Sequence, residues 1–361
     1  MPRFDDAFLL KLLQACAERA PAPLYPARFC QEQNIDRAKL DDGFDELRRR
    51  GLVVLSDWVK DLGQGRALTD AGKAALELNI LPTMPVIAAD SATADLTVYE
   101  RGELVRGALY EPTQPYVSRT LLALNLAYFL FGAIYAGWHE LPVGQYLLGE
   151  NGVHNTTNFV LGHLGGLYDH RVLPIRIHTD ARPELERMVL SIFLHAGVIH
   201  LLMNLFFFVS LGELVESMWG RWRFMAIYVV SGIVSGCVIL SLNMLQDRFG
   251  LTVGASGCLC GLFASMLVWF FMNRRHVPEH LLEDWWRMLG LNFFLVVGVN
   301  FLSNVSWQGH LGGAIGGMLA AVLMQWQRFH PSRAVRIAAL IALPIIPAAF
   351  LALVFWQAGY F

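Results

Sequence analysis

Two kinds of hydrophobic pattern divide this chain. Over residues 1–82, apolar residues recur at helical spacing among charges. Phe8, Leu9, Leu12 and Leu13 do so within Asp5–Arg19, and Leu40, Phe44 and Leu47 within Asp36–Arg50. Gly51 ends the second of these helices. A proline-rich turn (Pro21, Pro23, Pro26) separates the two. Leu52–Leu55 is a short β-like run, Asp57–Arg66 a loop or hairpin, and Thr69–Leu81 a further helix with Thr69 as its cap. Residues 83–118 carry prolines and little periodicity, and read as a linker with a membrane-proximal segment.

Beyond residue 118 the alternation gives way to long uncharged runs. A helix needs about 20 apolar residues to cross a hydrocarbon core. Candidate spans are Arg119–Trp138, Met188–Leu211, Phe224–Leu245, Leu251–Asn273, Met288–Leu302, Ser306–Met324 and Ile337–Trp356. That makes seven, the fifth of them short. Three positional units follow: a soluble domain over 1–82, a linker over 83–118 and a seven-span domain over 119–361.

Composition agrees with this division. The chain of 361 residues is 55% hydrophobic and 16% charged, with a mean hydropathy of +0.43. Those values point to a multi-span membrane protein. Residues 1–82 carry 12 Lys+Arg against 13 Asp+Glu, a net charge of −1. Two helices followed by a strand and hairpin resemble a winged helix, but a DNA-reading helix needs phosphate-neutralising charge. Asp41, Asp42, Asp45 and Glu46 offset Arg48, Arg49 and Arg50, so no nucleic acid is expected and a protein-contact or regulatory role is preferred.

The five cysteines show no zinc spacing and read as small buried hydrophobes. The first apolar run is interrupted by Asp5, Asp6 and Lys11, so no secretory signal is expected. Arginines concentrate in three short loops, at Arg221 and Arg223, at Arg274, Arg275 and Arg287, and at Arg328, Arg333 and Arg336. By the positive-inside rule these loops and the N-terminus face the cytoplasm, and the C-terminus lies outside. A cell-membrane location is expected.

Polar groups inside spans are costly and mark function or packing. The second span carries His195, His200 and Asn204, the fourth Ser256, and the sixth His310. His200 and Asn204 are four apart and share a face. His195 is five from His200, so on one helix it points some 140° away. That spacing fails the test for a zinc helix, and HExxH is absent from the sequence, so no metal or other cofactor is expected.

Gly257 and Gly261 form GxxxG beside Ser256, while Gly313 and Gly317 share a face with His310. Packed together, these two glycine faces bring His310 within about 3 Å of Ser256. Ser256 lies about five residues into its span, roughly 8 Å below the outer end. Singly, each residue has a packing explanation; jointly, at matched depth, they point to a nucleophile and its base.

At these residues the chain resembles the rhomboid family of intramembrane serine proteases. The likeness runs from about Arg187 to Met324. It rests on HAGVIHLLMN with His195, His200 and Asn204, on GASG with Ser256, and on His310 with Gly313 and Gly317. Arg187 matches the arginine at the end of the family's long first loop, and Glu216 in LGELVESMWG its acidic position after the second span. Two positions depart from the pattern: Glu186 replaces a tryptophan, and Cys260 stands where relatives often carry a ring stacked on the histidine.

The resemblance implies an all-α membrane protein, a six-helix rhomboid core plus a seventh C-terminal transmembrane helix; the small N-terminal α+β winged-helix-like domain lies outside the likeness. It implies Ser256 as nucleophile and His310 as general base and acid. His200, Asn204 and the Ser256 N–H would form an oxyanion hole, with Gly254, His195, Gly257 and Gly313 in support. Substrates would be transmembrane proteins in the lipid bilayer, cut near its outer face. The rivals are a catalytically inactive rhomboid-like scaffold, which normally lacks the serine or the histidine, and a histidine proton relay, which would need more midplane charge.

Overall fold

The computed structural model describes residues 6–59, 62–82, 114–173, 182–274, 286–290, 292–293, 298 and 306–360. The chain divides into two units, one over Met1–Leu104 with Pro331–Arg333, the other over Val105–His330 with Ala334–Phe361.

In the first unit the order is α1 (Asp6–Ala17), α2 (Pro26–Gln33), α3 (Arg37–Arg49), β1 (Val53–Val59), β2 (Gly63–Leu68) and α4 (Asp70–Leu78). The apolar stripes meet: Leu9, Leu12 and Leu13 share one core with Leu40, Phe44 and Leu47. The Asp36 carboxylate caps α3 by accepting from the Lys39 N–H at 3.0 Å. Thr69 caps α4 in the same way, accepting from the Gly72 N–H at 2.9 Å. Strands β1 and β2 form an antiparallel hairpin from Val53↔Leu68 to Val59↔Gly63. Leu24 adds a single bridge to Arg66, with N–H···O distances of 2.8 and 2.7 Å.

One element departs from the sequence reading. The third proline of the supposed turn, Pro26, is the first residue of α2, where a missing N–H has no consequence. Burial pushes the Cys16 thiol up to about 12, as suits a buried hydrophobe.

The second unit is mostly helical. Helix α5 (Tyr116–Trp138) leads into α6 (Val143–Leu148), α7 (Thr156–His163), the short strand β3 (Leu167–Tyr168) and α8 (Asp169–Val172). Helix α9 (Arg187–Leu190) and a 3-10 turn over Ser191–Phe193 precede α10 (Val198–Trp219) and α11 (Arg221–Leu245). Strand β4 (Leu251–Thr252), α12 (Ser256–Asn273), α13 (Trp307–Phe329), α14 (Arg333–Ala342) and α15 (Ile345–Gln357) complete the order.

Among the described residues, five helical stretches are long and apolar enough to cross a membrane: α5, α10, α11, α12 and the run Arg333–Gln357. Helix α13 is 23 residues long, but its glycines, His310 and glutamines make it less apolar. Most of the expected fifth span, Met288–Leu302, lies outside the described residues, as does 83–113 of the expected linker. The last span is interrupted between Ala342 and Ile345, beside Pro344.

Two expected spans begin elsewhere, for a backbone reason. The apolar run of the second predicts a helix from Met188. Instead the chain is extended at Leu194 and turns through Gly197 at φ 94°, so α10 starts only at Val198. His195 therefore precedes the helix, and the 140° argument does not apply to it. The apolar run of the fourth predicts a helix from Leu251, with Ser256 about five residues deep. Leu251–Thr252 pairs instead with Leu167–Tyr168, and Gly254 adopts φ 124°. Ser256 is thus the first residue of its helix, and a loop rather than a helical turn sets its depth.

Helix α12 is the centre of this unit. Most of its residues are buried, in a core that includes Trp219, Phe224, Tyr228, Trp269 and Phe270. Glu216 is fully buried on α10 and accepts from the backbone N–H groups of Val117 and Ser118, at 3.1 and 2.7 Å. A carboxylate thereby caps the start of α5, where the helix dipole favours negative charge.

Candidate active site

The site assembles from the pairing of α12 with α13. Gly257 and Gly261 on α12 face Gly313 and Gly317 on α13. A Cβ added at Gly313 would collide with the Gly257 backbone, its Cα lying 2.8 Å away. A Cβ at Gly317 would meet the backbone of Gly261 in the same way. Two helices approach this closely only where both lack side chains. The expected glycine seam is therefore present, and it brings the first turn of α13 beside the start of α12. A Cβ at Gly257 would lie 3.3 Å from the Gly309 carbonyl, one residue before His310.

Helix α11 completes the clasp. The Ser235 hydroxyl donates to the Gly309 carbonyl at 2.8 Å, and Ser231 packs against Gly261. Sequence reasoning missed these serines. The signal was there as Ser231–Gly232 repeated four residues later as Ser235–Gly236, a small-residue face on a span. At the other end of the same helix pair, the Gln325 side-chain amide donates to the side-chain Oδ1 of buried Asn273 at 2.6 Å.

Ser256 is half-buried at the helix start. Its preceding residue, Ala255, supplies no side-chain cap, so the Ser256 N–H is one of the first-turn donors without an intrahelical partner. The turn before it is tied down: Gly254 N–H donates to the Ser191 carbonyl at 2.9 Å. Gly254 is needed on two grounds. Its φ is in the left-handed region, and an added Cβ would stand 2.9 Å from both Cε1 and Nε2 of His200.

The His200 ring is oriented by its own chain. Its Nδ1 accepts from the Ala196 N–H at 3.3 Å. A ring nitrogen that accepts carries no proton, so Nε2 is the N–H donor of a neutral ring. That donor faces the Gly254 turn. Asn204 lies one turn further along α10 and gives one amide hydrogen to the His200 carbonyl at 2.9 Å, leaving its second. His195 is fully buried, its ring tilted edge-on to His200 with centroids 5.2 Å apart. His310 is buried and close enough to His200 to interact electrostatically. Cys260 is buried one turn after Ser256. Among the described residues no group of three His, Cys, Asp or Glu side chains is placed to hold a metal ion.

The segment between α5 and α10 braces this corner. Buried Arg187 donates to the carbonyls of Gly162 and Gly166, both at 2.8 Å. The Asp169 carboxylate accepts from Gly250 N–H at 2.9 Å and from the Asn243 amide at 3.1 Å, holding the strand that leads to Ser256. The result is a hydroxyl at a helix N-terminus with an imidazole N–H and free backbone donors around it. Such a place holds negative charge developing on an oxygen.

A family model described as "Rhomboid domain" matches residues 182–327. The chain is 30% identical over 149 residues to "Rhomboid protease GluP" of Bacillus subtilis, covering 40% of this chain and 27% of that protein. It is 33% identical over 156 residues to "RHOMBOID-like protein 6, mitochondrial" of Arabidopsis thaliana, covering 40% of this chain and 48% of the relative. It is 32% identical over 145 residues to "Putative rhomboid protease YdcA" of Bacillus subtilis, covering 40% of this chain and 69% of the relative. The chain thus spans less than half the length of the first two relatives.

Proposed function

The chain belongs to the rhomboid family, and from that premise we propose that it is an intramembrane serine endopeptidase that cuts transmembrane helices by a Ser256–His310 dyad. The observation that carries this reading is the seating of Ser256. It opens α12 on an uncapped N-terminus, beside a histidine whose Nε2 is the donor, and against the glycine seam that carries His310.

In the proposed mechanism His310 takes the Ser256 proton as the hydroxyl attacks the scissile carbonyl. The developing oxyanion is held by the Ser256 N–H, the His200 Nε2–H and the second Asn204 amide hydrogen. Such donors each contribute about 2.7–4 kcal/mol in a water-poor site. His310 then protonates the leaving amine, and water entering at the helix start hydrolyses the acyl-enzyme. Gly254 keeps the approach open, and His195 supports the His200 ring by packing.

The finer architecture belongs to the same proposal. Seven spans place the N-terminus in the cytoplasm and the C-terminus outside the cell membrane, with Ser256 near the outer face. Residues 1–82 form a winged-helix-like domain with a protein-contact or regulatory role, joined through 83–118 to the protease domain over 119–361.

Cleavage of a model transmembrane substrate by purified wild type, Ser256→Ala and His310→Ala tests the dyad. Both variants are expected to lose cleavage by about 10³-fold or more at unchanged melting temperature. Equal cleavage by all three would overturn the assignment. A wild type that neither cuts nor is labelled at Ser256 by a serine-directed probe would establish the inactive-scaffold alternative.

A further inference from the structure

The opposite end of the same helices carries a second, unexplained cluster. Arg223 on α11 and Arg328 on α13 are both partly buried, and lie close enough to repel each other. Their hydrogen-bond partners are all neutral. Arg223 donates through Nε to the Gln327 side-chain oxygen at 2.7 Å, and through Nη1 to the Trp219 carbonyl at 3.5 Å. Arg328 donates through Nη1 to the Met218 carbonyl. Among the described residues no carboxylate pairs with either guanidinium. The two nearest acids on α10 are committed elsewhere, Glu216 to the Val117 and Ser118 N–H groups and Glu213 to Arg119.

Two like charges held together in a partly buried place need a counter-charge. The C-terminal carbonyls of α10 supply part of it as a dipole. Arg221, exposed at the first position of α11, adds a third positive charge and lies 4.6 Å over the Tyr116 ring.

Depth indicates the source of the missing anion. His310 and Arg328 are 18 residues apart on α13, a rise of about 27 Å, close to the ~30 Å hydrocarbon thickness. With His310 near one face, the arginines stand at the headgroup level of the other. Trp222, next to Arg223, and Trp326, two residues before Arg328, are exposed, as tryptophans are at that level. Arg223 itself stacks over Trp222 at 4.4 Å.

We propose that Arg223, Arg328 and Arg221 form a binding site for the phosphate of an anionic phospholipid, between the α10–α11 turn and the end of α13. The site clamps α11 to α13 at the end remote from Ser256. The inference uses the membrane placement of these helices but not the dyad, so it stands or falls separately from the cleavage reaction.

Native mass spectrometry of the full chain after incubation with phosphatidylglycerol or phosphatidylcholine tests it, alongside melting temperatures in the same lipids and in inorganic phosphate. Wild type is expected to retain phosphatidylglycerol over phosphatidylcholine by about 30-fold, from two arginines at the surface. Arg223→Gln/Arg328→Gln should lose that preference, Arg223→Lys/Arg328→Lys should keep most of it, and the exposed ion-pair control Arg119→Gln should keep all of it. Should the Gln variant not fold, the wild-type melting shift carries the test, with a rise in phosphatidylglycerol and none in phosphatidylcholine expected. Equal retention of both lipids by wild type, an unchanged preference in a folded Gln variant, or an equal melting shift from inorganic phosphate would each overturn the proposal.

Discussion

The two units of this protein solve the packing problem with opposite residues. In the N-terminal unit large side chains meet: Leu9, Leu12, Leu13, Phe44 and Leu47 are each buried to within 1% of completely. The helix exteriors are charged. In the membrane unit the exteriors are apolar, with Leu202, Phe206 and Val209 of α10 exposed at 57–62%. The closest helix contact there is made by glycines. In water, burying apolar surface drives helices together. In lipid that drive is absent, and close backbone approach with a few polar links replaces it.

Alanine substitutions at glycines are the sharpest way to break this comparison. Gly313→Ala is expected to have the largest effect, about 3 kcal/mol or more, because its Cβ runs into the Gly257 backbone, which cannot rotate away. The loss would be read as a lowered melting temperature in detergent together with lost cleavage. A stably folded, active Gly313→Ala would remove the seam from the account.

Asn204→Ala comes next. It should slow cleavage by about 10²-fold with little change in melting temperature, separating chemistry from packing on one helix. Full activity in a folded variant would take Asn204 out of the oxyanion hole. Glu216→Gln keeps the shape of a cap but removes its charge. A loss of about 1 kcal/mol is expected, measured as a small drop in melting temperature, whereas no drop would mean that the charge at the start of α5 is immaterial.

The smallest effect is expected at Gly43 in α3. A Cβ there meets only side-chain ends, Leu12 Cδ1 at 2.8 Å and Phe8 Cε1 at 2.9 Å. These can shift, and alanine favours the helix by about 1 kcal/mol over glycine. Gly43→Ala should therefore alter stability by less than about 1 kcal/mol, checked by denaturant unfolding. A cost equal to that of Gly313→Ala would erase the contrast between the units.

Much of this was legible from the residues. Helical spacing marked α1 and α3, and GxxxG marked the face of α12 that meets α13. The rhomboid resemblance was readable at His200, Asn204, Ser256 and His310 because a polar group inside an apolar run is rare. Less legible were the points where glycine interrupts a hydrophobic run. Hydropathy carries through Gly197 and Gly254 without a break, so it extends one helix back over His195, which precedes it, and buries Ser256 about five residues into a helix that Ser256 in fact opens. Pro26 misled in the other direction, reading as a turn where it opens a helix.

What the sequence determined by itself, then, was the contrast between a charged, helix-periodic stretch and long apolar runs, and the small set of polar residues within those runs. Composition and periodicity are local properties, and these features depend on nothing else. The tertiary structure alone decided which donors surround the start of α12. The proton position on His200 follows from the Ala196 N–H, the closeness of its ring to the turn before Ser256 from the missing Cβ of Gly254, and the neighbourhood of His310 from the seam of Gly257, Gly261, Gly313 and Gly317. Each joins residues through backbone angles or contacts between elements, and neither is written in the order of residues along one helix.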